Sequence, residues 1–282
     1  MRWLKNLFSR GGEALDPAAP APPVAATPPL ADAPDWASHQ RTSPAGPVAI
    51  AVDLSLERRA PLADRPRLVR VRYALRAARP DGQPEPAEAE ALTRVEDMLA
   101  AALAPAGALY AGRVTLAGFR EHLFYLPDAT GVRAELDAVR AALASHDLEE
   151  QGEDDPAWQA YRQELFPTPR AHRWLLDRRG VEALARRGDR GDPPRPVDHQ
   201  ASFPTAEARE AFAAEAQAQG FEPVARRDDG PAPGGFGVDL RRVDAVTLRQ
   251  IHAVAWSLAE AAARHGGSYD GWVAEVAAAV TA

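Results

Sequence analysis

The sequence contains no cysteine among its 282 residues. This absence excludes disulfide bonds, thiolate zinc sites and thiol catalysis together, and it fits a reducing compartment. The chain also lacks any apolar run that approaches the roughly 18 to 20 residues needed to span a bilayer, and the residues after Met1 do not form the apolar core of a signal peptide. We therefore expect a cytoplasmic protein that is neither secreted nor membrane-spanning.

The composition is that of a folded globular protein. Hydrophobic residues make up 46% of the chain and charged residues 26%, and a chain of this length accommodates two ordinary domains. The net charge of −7 is uneven: residues 167–282 contain 15 arginines and 16 acidic residues, which leaves 18 basic and 24 acidic residues in residues 1–166. The acidic excess therefore lies in the first half of the chain.

The densest acidic stretch runs from position 147 to position 155 and contains no basic residue. Such a patch repels phosphate backbones and attracts arginine-rich partners. The alternative is a solvated loop or edge strand whose charges only prevent pairing with another sheet. The candidate partner-binding residues in this stretch are Asp147, Glu149, Glu150, Glu153, Asp154 and Asp155.

The first 34 residues are predicted to lie outside the folded domains. Between Met1 and Arg10, four large apolar side chains share one helical face, namely those of Trp3, Leu4, Leu7 and Phe8. A free helix this short is marginal, so this basic segment either contacts a membrane surface or a partner groove, or is a frayed terminus without a role. The Ala/Pro-rich residues 11–34 predict a flexible, disordered linker.

Residues 35–166 are predicted to form the first domain. Apolar residues at every second position predict strands, and apolar spacings of three and four predict helices. The predicted elements are strands 36–41, 47–54 and 68–75, helix 86–104, strands 108–116 and 119–126, helix 132–146 and an acidic strand 147–155. After the first two strands, the order is β-α-β-β-α-β.

A helical segment over 158–188, punctuated by Pro167 and Pro169, is predicted to join this domain to a second one at residues 167–282. The second domain repeats the β-α-β-β-α-β order. Its predicted elements are strand 196–203, a helix from N-cap Thr205 to Gly220, strands 221–227 and 236–243, a helix capped by Asp244, and strand 269–276. The sequence thus predicts an α+β fold of two tandem ferredoxin-like domains, each with both helices on one sheet face.

No catalytic, cofactor or metal site is predicted. Asp198 and His199 are adjacent on a predicted strand, so their side chains point to opposite faces and do not form a general base with its orienting carboxylate. We therefore interpret His199 as a core or sheet-face histidine. The other histidines show no spacing of four residues with an acid between them, which argues against metal binding: His39, His122, His146, His172, His252 and His265.

The segment Tyr269-Asp-Gly-Trp272 has two interpretations. Asp270 and Gly271 permit a β-bulge, with Trp272 packing where the strand meets the last helix. In the functional interpretation, Tyr269 and Trp272 are aromatic anchors at an interface with a partner.

Several short motifs of the second domain occur together in an order and spacing that resemble a known family. These motifs are Leu184-Ala-Arg-Arg-Gly-Asp189, Pro194-Arg-Pro-Val-Asp-His199, Phe203-Pro204, Gly220-Phe221 and Gly267-Ser-Tyr-Asp-Gly-Trp272. They are similar to those of the bacterial family called regulator of ribonuclease E activity B. Residues 35 to about 156 resemble an uncharacterised bacterial domain often fused ahead of it, through Trp36 and the hairpin from Val114 to Tyr125.

This resemblance implies a non-catalytic protein that binds ribonuclease E and lowers its activity. It also implies an acidic binding surface, since the scaffold region of that enzyme is rich in arginine. We therefore predict a regulator whose protein partner presents a basic segment. In the second domain, the candidate contact residues are Asp198, His199, Tyr269, Asp270 and Trp272.

The alternative is a module that binds single-stranded RNA on a ferredoxin-like sheet. Four arginines on the predicted hairpin support this alternative: Arg226, Arg227, Arg241 and Arg242. The acidity of the chain and the lack of a strand motif that combines aromatic and basic residues count against nucleic acid as the partner.

Overall fold

The computed structural model describes residues 33–143, 146–228 and 235–277. The chain divides into two compact units between Phe166 and Pro167. Each unit contains one antiparallel sheet with helices, so the predicted α+β class is confirmed. The amphipathic segment Met1–Arg10, residues 11–32 of the predicted linker and residues 229–234 of the predicted hairpin loop lie outside the described residues.

The first unit follows the predicted succession of elements closely. Its strands are β1 (Trp36–Ser43), β2 (Gly46–Asp53), β3 (Arg67–Ala74), β4 (Leu109–Leu116), β5 (Phe119–Leu126) and β6 (Glu149–Asp154). Its helices are α1 (Ala89–Leu103) and α2 (Val132–Ala142). The helix predicted to reach His146 ends earlier, because Leu143 leaves the helical conformation.

The six strands lie in the order β1-β2-β4-β5-β3-β6, with every neighbouring pair antiparallel. Alternate residues of β3 and β5, among them Val71 and Phe124, face α1 and α2 and form a core with Leu99 and Leu136. Burial of these side chains provides the main stabilisation of the unit.

The opposite face of this sheet is also covered, which the sequence did not predict. The first part of the helical segment predicted over 158–188 forms a short π-helical turn, Tyr161–Leu165, that belongs to the first unit. Just before it, the ring of Trp158 stacks on Tyr125 with a centroid distance of 3.8 Å. Tyr161 Oη donates a hydrogen bond to the carbonyl of Asp53. Strand β5 is therefore buried on both faces.

The second unit begins with helix α3 (Pro169–Ala185). It continues with β7 (Arg195–Phe203), α4 (Ala206–Ala218), β8 (Glu222–Asp228), β9 (Phe236–Asp244), α5 (Leu248–Arg264) and β10 (Ser268–Ala274). Thr205 caps α4 as predicted, since its hydroxyl accepts a hydrogen bond from the amide of Ala208.

The four strands of the second unit lie in the order β10-β7-β9-β8, again with antiparallel neighbours. The inward residues of β7, which include Ala201 and Phe203, pack against Phe212 of α4 and Leu258 of α5. The outward residues of β7 are half-buried or exposed. The sheet therefore has one face in the core and one face without a covering helix among the described residues.

The prediction that Asp244 caps the last helix is wrong. Asp244 ends strand β9, where its carboxylate accepts two hydrogen bonds from Arg242. Helix α5 begins at Leu248 after Thr247, and Val246, which was assigned to the helix, is buried in the loop before it. Asp244 is therefore part of the strand, and its carboxylate is bonded to Arg242 instead of capping the helix.

Candidate functional site

The outward face of the second sheet carries the first group of candidate residues. Alternation along β7 directs Asp198 outward and His199 inward, as the sequence predicts. Asp198 accepts two hydrogen bonds from Arg241 on β9, at 2.6 Å and 2.8 Å. These bonds hold the pKa of Asp198 below its usual value. Glu222 and Glu275 lie close enough to Arg241 to raise its pKa further.

Three carboxylates thus surround one guanidinium on this face. Asp270 adds another carboxylate on β10, where it accepts hydrogen bonds from the hydroxyls of Ser202 and Ser268. Two apolar side chains are exposed on the same sheet, Val243 on β9 at 62% and Val273 on β10 at 58%. The outward face therefore combines excess negative charge with exposed apolar surface, and we call it the acidic sheet face.

His199 and Tyr269 do not belong to the acidic sheet face. Both point into the core, where His199 Nδ1 and Tyr269 Oη lie 2.8 Å apart. Phe221 packs edge-on against the imidazole. Burial lowers the pKa of His199 to about 4, so the ring is neutral at pH 7. His199 is a core histidine, as the alternation predicts.

Trp272 is also engaged inside the second unit. Its Nε1 donates a hydrogen bond to Asp177 Oδ1 at 2.8 Å. Asp177 is completely buried on α3, and it also binds Arg173 and His252 at 2.9 Å each. The tryptophan therefore links β10 to α3. It also packs against the cluster that contains Ile251 of the last helix, where the structural interpretation placed it. Sequence reasoning missed Asp177; its spacing of four residues from Arg173 was the available signal.

The acidic stretch of the first unit is largely neutralised by distant arginines. Glu150 pairs with Arg140, Glu153 with Arg70 and Asp154 with Arg67. Asp155 is buried, where it accepts hydrogen bonds from Tyr125 Oη and from the amides of Gln159 and Ala160. Asp147 and Glu149 remain exposed.

A buried ion cluster, which was not predicted from the sequence, contacts this stretch through Glu153. Arg70 binds Glu121 at 2.9 Å and Glu164 at 2.8 Å, in addition to Glu153. Burial opposes the charge of Glu121 and raises its pKa, although Arg70 acts in the other direction. These residues come from β3, β5, β6 and the π-helical turn. Each donor nitrogen of the Arg70 guanidinium contacts a carboxylate, so the cluster has a structural role: it links these elements to one another.

The four hairpin arginines lie on β8 and β9, as predicted, but each is paired with a carboxylate. Arg226 binds Glu210, Arg227 contacts Asp239, Arg241 binds Asp198 and Arg242 binds Asp244. Arg242 also lies over the ring of Phe221 at 4.0 Å. Such pairing reduces the positive potential available for phosphates.

Within the described part of the chain, no three His, Asp or Glu side chains converge in a way that could hold a metal ion. No helix in that part is both long and apolar enough to cross a bilayer.

The structure thus shows two compact α+β units, and the sheet of the second unit presents an acidic face. The two parts of the chain match the models of two different families. Residues 35–166 match the model of a family of unknown function (DUF695), and residues 176–273 match the model of the family regulator of ribonuclease activity B. Both matches fall on the residues whose motifs carried the resemblance, so the resemblance is confirmed. The second match implies regulation of ribonuclease activity through a protein partner.

No curated protein matches this chain. One solved structure with similarity to it is the crystal structure of an unknown protein from Galdieria sulphuraria. That protein is 14% identical, and the match covers 74% of this chain and 99% of the other at a TM-score of 0.22. This similarity carries no conclusion about fold or function.

Proposed function

We propose that this chain is a non-catalytic, cytoplasmic regulator that binds an RNA-processing enzyme such as ribonuclease E and lowers its activity. The observation that carries the proposal is the match of residues 176–273 to regulator of ribonuclease activity B. Both domains are proposed to be ferredoxin-like, which is supported by the equivalent strand orders β6-β3-β5-β4 and β10-β7-β9-β8.

The proposed contact surface is the acidic sheet face. Of the candidates in the second domain, Asp198 and Asp270 lie on it, and Glu222 and Glu275 join them. An arginine-rich segment complements such a surface in charge, while Val243 and Val273 supply apolar area for the stems of its side chains. In the first domain, the exposed Asp147 and Glu149 are a secondary contact in this proposal.

The test compares two charge-matched double variants of the full chain. Glu222→Lys with Glu275→Lys reverses charge on the acidic sheet face, whereas Glu207→Lys with Glu260→Lys makes the same net change on exposed positions of α4 and α5. Affinity for purified ribonuclease E is measured by calorimetry at about 0.15 M salt, where exposed charges beyond about 8 Å are screened.

We expect the sheet-face variant to bind about tenfold or more weakly and to inhibit cleavage correspondingly less. The helix-side variant should bind within about twofold of the unaltered chain. Equal weakening by both variants would show that total charge, not this face, governs binding. Unaltered binding by the sheet-face variant would remove the face from the interface, and no binding by the unaltered chain would remove the partner.

A further inference from the structure

Among the residues that the structure describes, the two sheets have four edge strands, namely β1, β6, β8 and β10. An edge strand directs one row of backbone amides and carbonyls away from its sheet, where a strand of another chain can pair with them. Proteins commonly prevent such pairing with charged side chains, prolines or β-bulges on the edge. The four edges of this chain differ in whether they carry such features.

Three of the edges are protected. Strand β6 has four acidic side chains among its six residues. A bulge between Pro223 and Ala225 interrupts β8, and Pro223 has no amide hydrogen to donate. A bulge between Tyr269 and Gly271 interrupts β10. Each of these features disfavours regular pairing with a further strand.

Strand β1 carries none of these protective features. All eight of its residues pair with β2 in continuous register, and the strand contains no proline, lysine or acidic residue. Its one arginine, Arg41, is engaged within the first unit, where it donates hydrogen bonds to the carbonyl oxygens of Gln163 and Phe166. The ring of His39 contacts the carbonyl of Leu165 at 2.8 Å. Both side chains therefore point to the face that the π-helical turn covers.

The alternate side chains of β1 point to the opposite face and are uncharged and exposed. They are those of Trp36, Ser38, Gln40 and Thr42. Trp36 is 43% exposed, although its side chain is large and apolar. No charge on this side of β1 would repel a neighbouring strand, and the tryptophan supplies apolar area for a contact.

The backbone of these alternate residues points to the open edge. Ser43 and Gly46 flank the two-residue turn between β1 and β2, and the residues that close such a turn hydrogen-bond to each other. Because hydrogen-bonded and non-hydrogen-bonded pairs alternate along an antiparallel ladder, Ser38, Gln40 and Thr42 direct their backbone groups away from β2. In the part of the chain that the structure describes, no strand pairs with that side of β1.

We propose that β1 pairs with the β1 strand of a second copy of this chain. The two strands run antiparallel about a twofold axis, and the two six-stranded sheets become one continuous sheet. In this register, Ser38 of each copy lies opposite Gln40 of the other, and Trp36 lies opposite Thr42. These cross-strand pairs bring no like charges together, and the threonine covers part of the exposed tryptophan.

Two features select a second copy as the occupant. Each copy presents the same unpaired backbone groups, so one twofold contact satisfies both edges at once. An arginine-rich partner segment, by contrast, gains no electrostatic attraction from an uncharged edge. The acidic β6 lies at the other end of the same sheet and disfavours addition of further copies, so the assembly stops at two. The contact is independent of the acidic sheet face.

The test measures the mass of the full chain by sedimentation at about 1 to 200 µM and about 0.15 M salt. We expect a mass that rises with concentration from 30.3 kDa towards twice that value. In Ser38→Lys with Gln40→Lys, the lysines of the two copies lie opposite each other, so dimerisation should weaken about tenfold or more. The control, Ala134→Lys with Ala138→Lys, makes the same charge change on the exposed side of α2 and should dimerise within about twofold of the unaltered chain.

Hydrogen exchange locates the contact. In the unaltered chain, the amides of Ser38, Gln40 and Thr42 should exchange more slowly at high than at low concentration, and circular dichroism should show that both variants keep the native fold. A monomer at every concentration, undiminished dimerisation of the β1 variant, or growth beyond a dimer would each overturn the proposal. Protection of these amides only after addition of ribonuclease E would make a strand of that enzyme the occupant and would overturn it as well.

Discussion

Each domain buries a histidine against tyrosine hydroxyls. In the first, His122 lies between Tyr73 and Tyr110, with O–N distances of 3.0 Å and 2.9 Å. In the second, His199 lies against Tyr269. Burial lowers the pKa of both rings, and neighbouring Arg120 and Arg113 lower that of His122 further. Both histidines are therefore neutral when the protein is folded at pH 7.

This burial predicts that acid weakens the second domain through His199. The unfolded chain takes up a proton near pH 6.5, whereas the folded domain does so only near pH 4. Stability from the neutral ring is therefore fully present above pH 6.5 and is lost as the pH falls from 6.5 towards 4. We expect a loss of about 2 kcal/mol at pH 5.

The measurement is urea unfolding of the second domain at pH 7 and pH 5. His199→Gln keeps a partner for Tyr269 and does not titrate, so its free energy of unfolding should change less between these pH values. His172→Gln, on α3, should retain the full pH dependence. If the free energy of unfolding of His199→Gln changed as much between pH 7 and pH 5 as that of the unaltered domain, His199 would not be the source of the pH dependence.

Contact between α3 and β10 involves a glycine as well as the Asp177–Trp272 hydrogen bond. A Cβ atom at Gly180 would lie 2.8 Å from Cζ2 of Trp272 and 3.1 Å from its Cη2. The helix therefore approaches the indole at the one place where a side chain is missing. Val181 and Leu184 of the same helix pack against the cluster that contains Val197 and Ile251.

At the scale of this element, we predict that Gly180→Ala destabilises the second domain by about 1–3 kcal/mol through overpacking. Helix propensity alone would give the opposite sign, since alanine favours a helix by about 1 kcal/mol over glycine. In a Trp272→Phe background the smaller ring relieves the close contact, so the same substitution should cost less or become favourable. Chemical denaturation of the four chains measures this coupling. Additive effects would show that the contact is not limiting.

The elements themselves were largely predictable, since period-two and helical apolar patterns are local signals. β7 and α4 were placed to within one or two residues, because alternation and the Thr205 cap agree. What failed depended on distant residues. Arg242 holds Asp244 in β9, and stacking on Tyr125 draws Trp158 onto the first sheet.

In the candidate site, too, features set by local sequence were predictable, and features set by distant residues were not. Alternation distinguished Asp198 from His199 correctly. It did not reveal that Arg67, Arg70 and Arg140 neutralise the acidic stretch, because these residues lie elsewhere in the sequence. Arg67 and Arg70 reach the acidic residues of β6 because β3, on which they lie, pairs with that strand in the folded sheet.

At the scale of the whole molecule, each unit has its own apolar core. The core of the first contains Leu99 and Phe124, and that of the second Phe203 and Leu258. Domains with separate cores generally fold independently. We therefore expect fragments 33–166 and 167–282 each to unfold cooperatively when heated alone, as followed by circular dichroism. A fragment with native helix content but no cooperative transition would contradict this expectation.

On the acidic sheet face, Asp198 is already paired with an arginine of the same chain, Arg241. An arginine from a basic partner that reaches Asp198 finds both carboxylate oxygens already taken. The charge of Asp198 is already balanced by Arg241, so a second guanidinium gains less at Asp198 than it would beside an unpaired carboxylate. Arg241 also has Glu222 and Glu275 beside it. Discrimination among basic partners would then depend on how many of their arginines contact a carboxylate of this face at the same time. A partner with an isolated positive charge would bind weakly, and one with a closely spaced series of arginines would bind more tightly.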